Sequence, residues 1–186
     1  MSGRPAVFLD RDGVLNESFV GADGVSRPPA GLAEFVLVEG AAEACRRLAG
    51  FGFLRIVVTN QPDVARGTQR REVVEAIHQR LREGVQVDDI RVCYHDDIDL
   101  CECRKPSPGL LVSAAQDWGI DMTASYMIGD RWRDVEAGQR AGCTTILIDT
   151  HESQPLMIEP TVRVESLPRA VEWISNRVGR ETGAVR

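Results

Sequence analysis

The chain lacks long hydrophobic runs, and this absence limits the kinds of protein it could be. No apolar stretch approaches the roughly 20 residues that a membrane-spanning helix requires. The first five residues, Met1 to Pro5, lead directly into a short apolar run and show no signal-peptide core. We therefore expect a cytoplasmic protein that has no membrane partner.

Lysine is almost absent, since Lys105 is the only one, and arginine supplies nearly all of the positive charge. The arginines are scattered among 28 acidic residues, and the net charge is −6 at pH 7. No basic block of the kind that binds nucleic acid is formed, so we expect no nucleic-acid partner. Internal repeats and linker-like stretches are also missing. Residues 1–178 are predicted to form one domain, followed by a flexible tail at 179–186.

Cysteine is scarce as well, with five in 186 residues, which argues against a disulfide framework. Two of the five, Cys45 and Cys143, lie in apolar stretches and are expected to be small core residues. The other three share one short segment with a histidine: Cys93, His95, Cys101 and Cys103.

Three thiolates and one imidazole are sufficient for a closed tetrahedral Zn²⁺ site of the structural kind. The alternative is a set of free thiols beside a surface histidine. We expect structural zinc, because paired Cys-x-His and Cys-x-Cys in a short irregular segment are otherwise hard to explain. Such a site would fix the two cations that follow it, Arg104 and Lys105.

Strand-like and helical segments alternate along the chain. This alternation predicts an α/β fold, a Rossmann-like doubly wound and mainly parallel sheet covered on both faces. Residues 16–31 are predicted to form a loop or small hairpin, with strands near Phe19–Val20 and Val25–Ser26. His78 is predicted to face solvent. The expected strands are 6–9, 53–58, 90–94, 125–128, 144–148 and 161–164, and the expected helices are 39–49, 69–83, 109–118, 132–140 and 167–178.

The first strand ends on two carboxylates, Asp10 and Asp12. They are two residues apart, so they point the same way if the strand geometry persists. The carboxyl end of a parallel strand is where open α/β sheets bind ligands. Both groups would have a function in a site that binds a divalent cation and uses one carboxylate as nucleophile and the other as proton donor. The alternative is an Asp-rich turn without such a function.

Polar residues follow other predicted strands too, and each type suits phosphate chemistry. Thr59 and Asn60 offer polar groups to phosphate oxygens, and Lys105 offers a positive charge. Asp130, together with Asp10, supplies the hard oxygen ligands that Mg²⁺ prefers. Each residue alone could be a helix cap, a surface charge or a turn residue, but four such groups at successive strand ends indicate a phosphate site.

These residues resemble the four motifs of the haloacid dehalogenase (HAD) superfamily of aspartyl phosphatases. The motifs stand in order as Asp10-Arg11-Asp12-Gly13, Thr59-Asn60-Gln61, Arg104-Lys105-Pro106, and Gly129-Asp130-Arg131 with Asp134. The segments Ala65-Arg66-Gly67 and Cys101-Glu102-Cys103 are similar to those of the small capless branch, subfamily IIIA, which carries a zinc loop at this place.

The resemblance implies a role for each matching residue. Asp10 would be the nucleophile and Asp12 the general acid and base. Mg²⁺ would be held by Asp10, the Asp12 backbone carbonyl and Asp130, with Asp134 in support. Thr59, Asn60 and Lys105 would bind the phosphate, and Arg104 would bind the substrate. Apart from the resemblance, Arg66 and Arg104 are candidates to bind a second anionic group, which favours a sugar bisphosphate.

The expected activity is that of a Mg²⁺-dependent phosphatase acting on a small phosphorylated metabolite, and the protein is expected to be a monomer. The capless branch includes enzymes for D-glycero-D-manno-heptose 1,7-bisphosphate, which is the expected substrate, and for histidinol phosphate, which is the alternative. A zinc-stapled binding domain without catalysis, or a phospho-acceptor receiver domain, would be functions of another class. Pro62-Asp63 departs from the Ser-Gly usual in the branch, and it puts substrate preference in question.

Overall fold

The computed structural model describes residues 3–21, 26–149 and 158–183. Along the chain its strands are β1 (Ala6–Leu9), β2 (Phe19–Val20), β3 (Ser26–Arg27), β4 (Leu54–Asn60), β5 (Asp89–Cys93), β6 (Tyr126–Gly129), β7 (Thr144–Ile148) and β8 (Val162–Val164). Its α-helices are α1 (Ala41–Gly50), α2 (Arg71–Gly84), α3 (Gly109–Trp118), α4 (Trp132–Ala141) and α5 (Leu167–Gly183).

Six strands form one fully parallel sheet in the order β5-β4-β1-β6-β7-β8. The chain leaves β1 toward β4 on one side and later returns to its other side at β6. This reversal creates a crevice at the carboxyl end of β1, the usual ligand position in doubly wound sheets. The predicted fold class is confirmed.

Strand β1 lies at the centre, and its side chains alternate between two hydrophobic cores. Val7 and Leu9 pack in the core under α1, α2 and α5. Ala6 and Phe8 pack in the core under α3 and α4. All four are fully buried, and burying a side chain of the size of Leu or Phe contributes about 1.5–3 kcal/mol. Because β1 is buried on both faces, its position is fixed, and so is the start of the segment that carries Asp10 and Asp12.

The structure differs from the sequence predictions at a few places. Helix α5 continues to Gly183, so 179–183 are helical where a tail was predicted, and 184–186 lie outside the described residues. The predicted hairpin forms as β2 and β3. Val25, which was expected in its second strand, also lies outside the described residues. The two core cysteines are buried as predicted.

The prediction for His78 was wrong, because its side chain is buried in α2 rather than exposed to solvent. The inward face of this helix contains Val74, Ile77, His78 and Leu81. Among the described helices, none is both long and apolar enough to cross a membrane.

Candidate active site

A cavity of about 1050 Å³ opens at the carboxyl ends of β1, β4 and β6. Its position follows from the sheet topology, because these three neighbouring strands all end at the same edge. The residues that line it include most of the predicted site: Asp10, Asp12, Asn60, Arg66, Arg104, Lys105, Asp130 and Asp134.

Three carboxylates converge at the bottom of this cavity. Asp10, Asp130 and Asp134 each place an oxygen within 4.8 Å of the others. Burial raises the pKa of Asp10 to about 6 against the opposing charge of Lys105, and burial with the charges of Asp10 and Asp134 raises the pKa of Asp130 well above its usual value. Grouped carboxylates of this kind are stabilised by a bound cation.

The Oδ1 atom of Asp130, one of these three carboxylates, is an unpartnered acceptor. It is buried and has no hydrogen-bond partner among the described residues; the nearest cation, Arg131 Nε, is 3.9 Å away. A buried carboxylate oxygen without a partner is unfavourable unless a ligand completes it. The donor set is all-oxygen and acidic, which fits Mg²⁺.

Two glycines allow these carboxylates to approach the backbone. Gly13 has φ +84°, and a Cβ there would collide with the carboxylate of Asp130. Gly129 ends β6, and a Cβ there would collide with Asp134. The requirement for glycine at both positions therefore comes from the acidic cluster itself.

The only lysine of the chain neutralises part of this cluster. Lys105 Nζ lies 2.8 Å from Asp10 Oδ1, 2.6 Å from Asp134 Oδ1 and 2.8 Å from the Val58 carbonyl oxygen. Burial lowers the pKa of Lys105, but the charges of Asp10 and Asp134 outweigh burial and raise it above the ordinary value. An ammonium group has three protons, so every one already has an acceptor.

The carboxylate of Asp12 is turned away from the acidic cluster and is held by several donors. The Arg11 side chain bonds both of its oxygens at 2.9–3.1 Å. Asn16 Nδ2 donates to Oδ1 at 3.0 Å, and Gln61 Nε2 donates to Oδ2 at 2.8 Å. Asp12 still borders the cavity, so one carboxylate is free of the cluster and faces the space where a substrate would lie.

Thr59 and Asn60, both predicted phosphate ligands, make protein contacts. Thr59 is buried, and its Oγ1 accepts a hydrogen bond from Gln61 Nε2 at 2.9 Å. Asn60 exchanges two hydrogen bonds with the Lys105 backbone, at 3.0 and 3.1 Å. These bonds tie the end of β4 to the loop that carries Lys105.

Arg66 and Arg104 line the cavity at its mouth, where carboxylates already hold them. Arg66 donates to both oxygens of Asp96 at 2.6 and 2.7 Å. Arg104 Nε donates to Asp97 Oδ1 at 2.8 Å, and Arg133 Nη1 donates to the same atom at 2.7 Å. The hydrogen bonds from Arg104 and Arg133 lower the pKa of Asp97. We call this group of two aspartates and three arginines the rim network.

The predicted zinc ligands come together in one cluster. Their ligand atoms all lie within 4.8 Å of one another: Cys93, His95, Cys101 and Cys103. The sulfur–sulfur distances are 3.2–3.7 Å, and His95 Nδ1 lies 3.5 Å from Cys93 Sγ and 3.2 Å from Cys103 Sγ. A tetrahedral site with Zn–S bonds of about 2.3 Å has ligand atoms about 3.8 Å apart, so the arrangement fits zinc.

Sequence reasoning missed several residues of the site. Arg11 and Gln61 lie inside the recognised motifs, but no role was assigned to them. Arg131, Trp132 and Arg133 line the cavity from the start of α4. Their position directly after Asp130 was the signal that could have identified them, because a helix that begins at a strand end presents its first residues to the ligand.

Comparisons with known proteins agree with this geometry. A family model described as HAD-hydrolase-like matches residues 102–170. The D-glycero-beta-D-manno-heptose-1,7-bisphosphate 7-phosphatase of Yersinia pestis is 33% identical over 98% of this chain and 95% of its own length. The D-glycero-D-manno-heptose-1,7-bisphosphate 7-phosphatase of Thermosynechococcus vestitus is 36% identical over 92% and 95%.

A solved structure is similar over nearly the whole chain. The D,D-heptose 1.7-bisphosphate phosphatase from B. bronchiseptica, complexed with magnesium and phosphate, has a TM-score of 0.80 and 30% identity. The match covers 93% of this chain and 99% of that one. This chain therefore shares its fold with that phosphatase over nearly its whole length.

Proposed function

The chain belongs to the family of HAD-like hydrolases and is a phosphoric monoester hydrolase, and from this premise we propose a substrate and roles for its residues. The proposed reaction is Mg²⁺-dependent removal of the 7-phosphate from D-glycero-D-manno-heptose 1,7-bisphosphate. The observation that carries it is the meeting of Asp10, Lys105, Asp130 and Asp134 in one buried cluster beneath a cavity that Asp12 borders.

In the first half of the proposed reaction, an Asp10 oxygen attacks phosphorus and the bond to the sugar oxygen breaks. A proton on Asp12 passes to that leaving oxygen. In the second half, Asp12 takes a proton from a water that attacks the aspartyl-phosphate, and inorganic phosphate leaves with Asp10 restored. Lys105 stabilises the Asp10 carboxylate and keeps it ionised.

Mg²⁺, held by Asp10, the Asp12 carbonyl and Asp130, would offset the charge of the phosphate as it approaches the nucleophile. The unpartnered Asp130 Oδ1 supports this assignment, and Asp134 supports it by fixing Lys105 at 2.6 Å. Thr59 and Asn60 are proposed to bind the phosphate at the end of β4.

The arginines at the cavity mouth support a substrate with a second anionic group. Arg66 and Arg104 both line the cavity, and the similar proteins of known name act on a bisphosphate. Histidinol phosphate is the second candidate, because the short gap between His95 and Cys101 resembles that of the histidinol-phosphate phosphatases in the same branch. We further propose that zinc staples the segment carrying Arg104, and that the enzyme meets its metabolite in the cytoplasm.

Phosphate release is the test of this proposal. Wild type and Asp10→Asn would be assayed with Mg²⁺ on both anomers of heptose 1,7-bisphosphate, on histidinol phosphate and on a panel of sugar monophosphates. We expect fast release from the bisphosphate and none from Asp10→Asn. Asp117→Asn, which changes an exposed aspartate outside the cavity, is the matched control and should act like wild type.

Faster release from histidinol phosphate would replace the proposed substrate by the second candidate. An aspartyl-phosphate that forms but persists would favour a receiver function. No release from any compound would favour a zinc-stapled binding domain.

A further inference from the structure

A line of polar side chains leads from helix α2 to Asp12, and the proposed mechanism leaves it unexplained. It consists of Glu75, which is exposed at the surface of the helix, and of His78 and Arg11, which are both buried. We propose that Arg11 and His78 are positioning residues, which orient the Asp12 carboxylate for proton transfer. This inference rests on the proposed function, because it assigns a purpose to contacts with the proton-transferring group of that reaction.

Arg11 is the largest fully buried side chain among the described residues. A buried guanidinium is unfavourable unless its donors are satisfied. Nε and Nη2 donate to Asp12 Oδ1 at 3.1 and 3.0 Å, and Nη2 also donates to Oδ2 at 2.9 Å. This forked contact sets the plane of the carboxylate as well as its position, which a single hydrogen bond could not do.

His78 takes the remaining terminal nitrogen of the same guanidinium. Arg11 Nη1 lies 2.9 Å from His78 Nε2. Arginine can only donate, so His78 Nε2 must be the acceptor and the ring proton must lie on Nδ1. His78 Nδ1 lies 3.5 Å from Glu75 Oε2. The ring proton is therefore on the side of the imidazole that faces the Glu75 carboxylate. One imidazole tautomer is therefore specified by the contacts at both ends.

The anchor at Nη1 has a consequence for Asp12. Arg11 lies just beyond the end of β1, so the orientation of its guanidinium depends on the group that binds its Nη1 atom. With His78 in place, the guanidinium is fixed between α2 and the cavity, and Asn16 and Gln61 complete the donors to Asp12. Without that acceptor, Nη1 is left buried and unpaired, and the fork can rotate away from the carboxylate.

Two substitutions separate positioning from packing. His78→Leu removes the acceptor, and His78→Gln keeps one near the same place. For the alkyl phosphate that wild type hydrolyses best, we expect kcat to fall on the order of tenfold in His78→Leu, with KM within about twofold. His78→Gln should recover most of the rate. Equal kcat in wild type and both variants, with only a lower melting temperature, would overturn the inference.

The leaving group gives a sharper readout. In single-turnover experiments, His78→Leu should form aspartyl-phosphate more slowly than wild type from a sugar phosphate. It should form it at the wild-type rate from 4-nitrophenyl phosphate, whose leaving group needs no proton. Equal slowing with both compounds would mean general damage to the site and would contradict a role through Asp12.

The ring tautomer can be measured in the wild-type protein without any substrate. Nitrogen-15 spectra of labelled histidine should show His78 with its proton on Nδ1. A proton on Nε2 would overturn the inference even in an active phosphatase. The Nδ1 tautomer in a protein that releases no phosphate would instead overturn the proposed function, and with it the purpose assigned to the contact.

Discussion

At the scale of single residues, the acidic cluster depends on Gly13, whose missing side chain makes room for the Asp130 carboxylate. In Gly13→Ala the new methyl group would occupy the position of that carboxylate, in addition to the strain of a positive φ, which costs about 1–2 kcal/mol. We expect the Mg²⁺ concentration for half-maximal activity to rise at least tenfold. Phosphate release measured across a Mg²⁺ titration checks this.

Gly52→Ala is the matched control for this change. Gly52 also has φ +84°, but a Cβ there would meet nothing within 4 Å. It should lose similar backbone stability in thermal unfolding and keep the wild-type Mg²⁺ dependence. An equal shift in both variants would show that strain alone, and not the Asp130 contact, changes the metal response.

His78 should make folding stability depend on pH. Burial, together with the charge of Arg11, lowers the pKa of His78 from 6.5 to about 4. Between pH 4 and pH 6.5, His78 therefore binds a proton in the unfolded chain but stays neutral in the folded protein. The contribution of neutral His78 is fully present above pH 6.5 and is lost as pH falls toward 4, by roughly 3 kcal/mol in total.

Chemical unfolding of wild type and His78→Gln at several pH values checks this dependence. The difference between the two proteins isolates His78, because Asp10 and the other buried carboxyl groups titrate in both. A difference that stays constant from pH 7 to pH 4 would contradict the burial of a neutral imidazole.

At the scale of elements, the cysteine cluster connects strand β5 to the loop that carries Arg104 and Lys105. Cys103→Ser should lose zinc and lower activity about tenfold or more, because the ligand next to Arg104 no longer fixes it. Zinc content and phosphate release would be measured on the same samples. Cys143→Ala, which changes a buried thiol outside the cluster, should keep both. Full activity in a zinc-free variant would refute the staple.

The elements themselves could be predicted from the sequence wherever one local pattern decides the structure. The strands read as apolar runs because both faces of the sheet are covered, and the strand ends were marked by Asp10 and Asp130. His78 was mispredicted because its burial depends on Arg11, a residue 67 positions away that supplies a polar partner. Helical periodicity places His78 on the same face as Val74, Ile77 and Leu81, so the wrong prediction came from the polarity of the imidazole and not from the spacing.

The contacts of the predicted site residues were beyond prediction for a similar reason. The motif indicated that Lys105 would be near the nucleophile, but the sharing of its ammonium between Asp10 and Asp134 follows from how β1, β6 and α4 meet. The sequence likewise indicated Arg66 and Arg104 as substrate ligands, yet the rim network requires the observed position of Asp96 and Asp97. Such pairings depend on three-dimensional neighbours.

At the scale of the whole molecule, the proposed substrate is a polyanion, whereas the protein is itself acidic, with a net charge of −6. Its own charge opposes the approach of a phosphate, so local arginines must offset it at the mouth. In the rim network these arginines are already paired with Asp96 and Asp97. A second phosphate would therefore have to displace Asp96 or Asp97 from its arginine partners. This competition weakens binding of every anionic ligand, but a ligand of high charge displaces the carboxylate more readily than one of low charge.

Asp96→Asn tests this competition. The substitution removes one negative charge facing Arg66, and asparagine can still cap the short 3₁₀-helix 97–99 as aspartate does. Of the charged partners that the described residues offer Arg66, Asp63 would remain, at 3.4 Å. We expect KM for heptose 1,7-bisphosphate to fall roughly three- to fivefold, while KM for a sugar monophosphate without a second charged group changes less than about twofold.

Asp117→Asn removes the same charge from an exposed site outside the cavity, paired with Arg91, and should leave both KM values unchanged. The drop in KM should also shrink as salt is added, because dissolved ions screen the attraction between exposed charged groups and a charged substrate. If Asp96→Asn raises KM for the bisphosphate instead, Asp96 holds Arg66 in its productive position. The carboxylate would then be an organiser of the second-phosphate site and not its competitor.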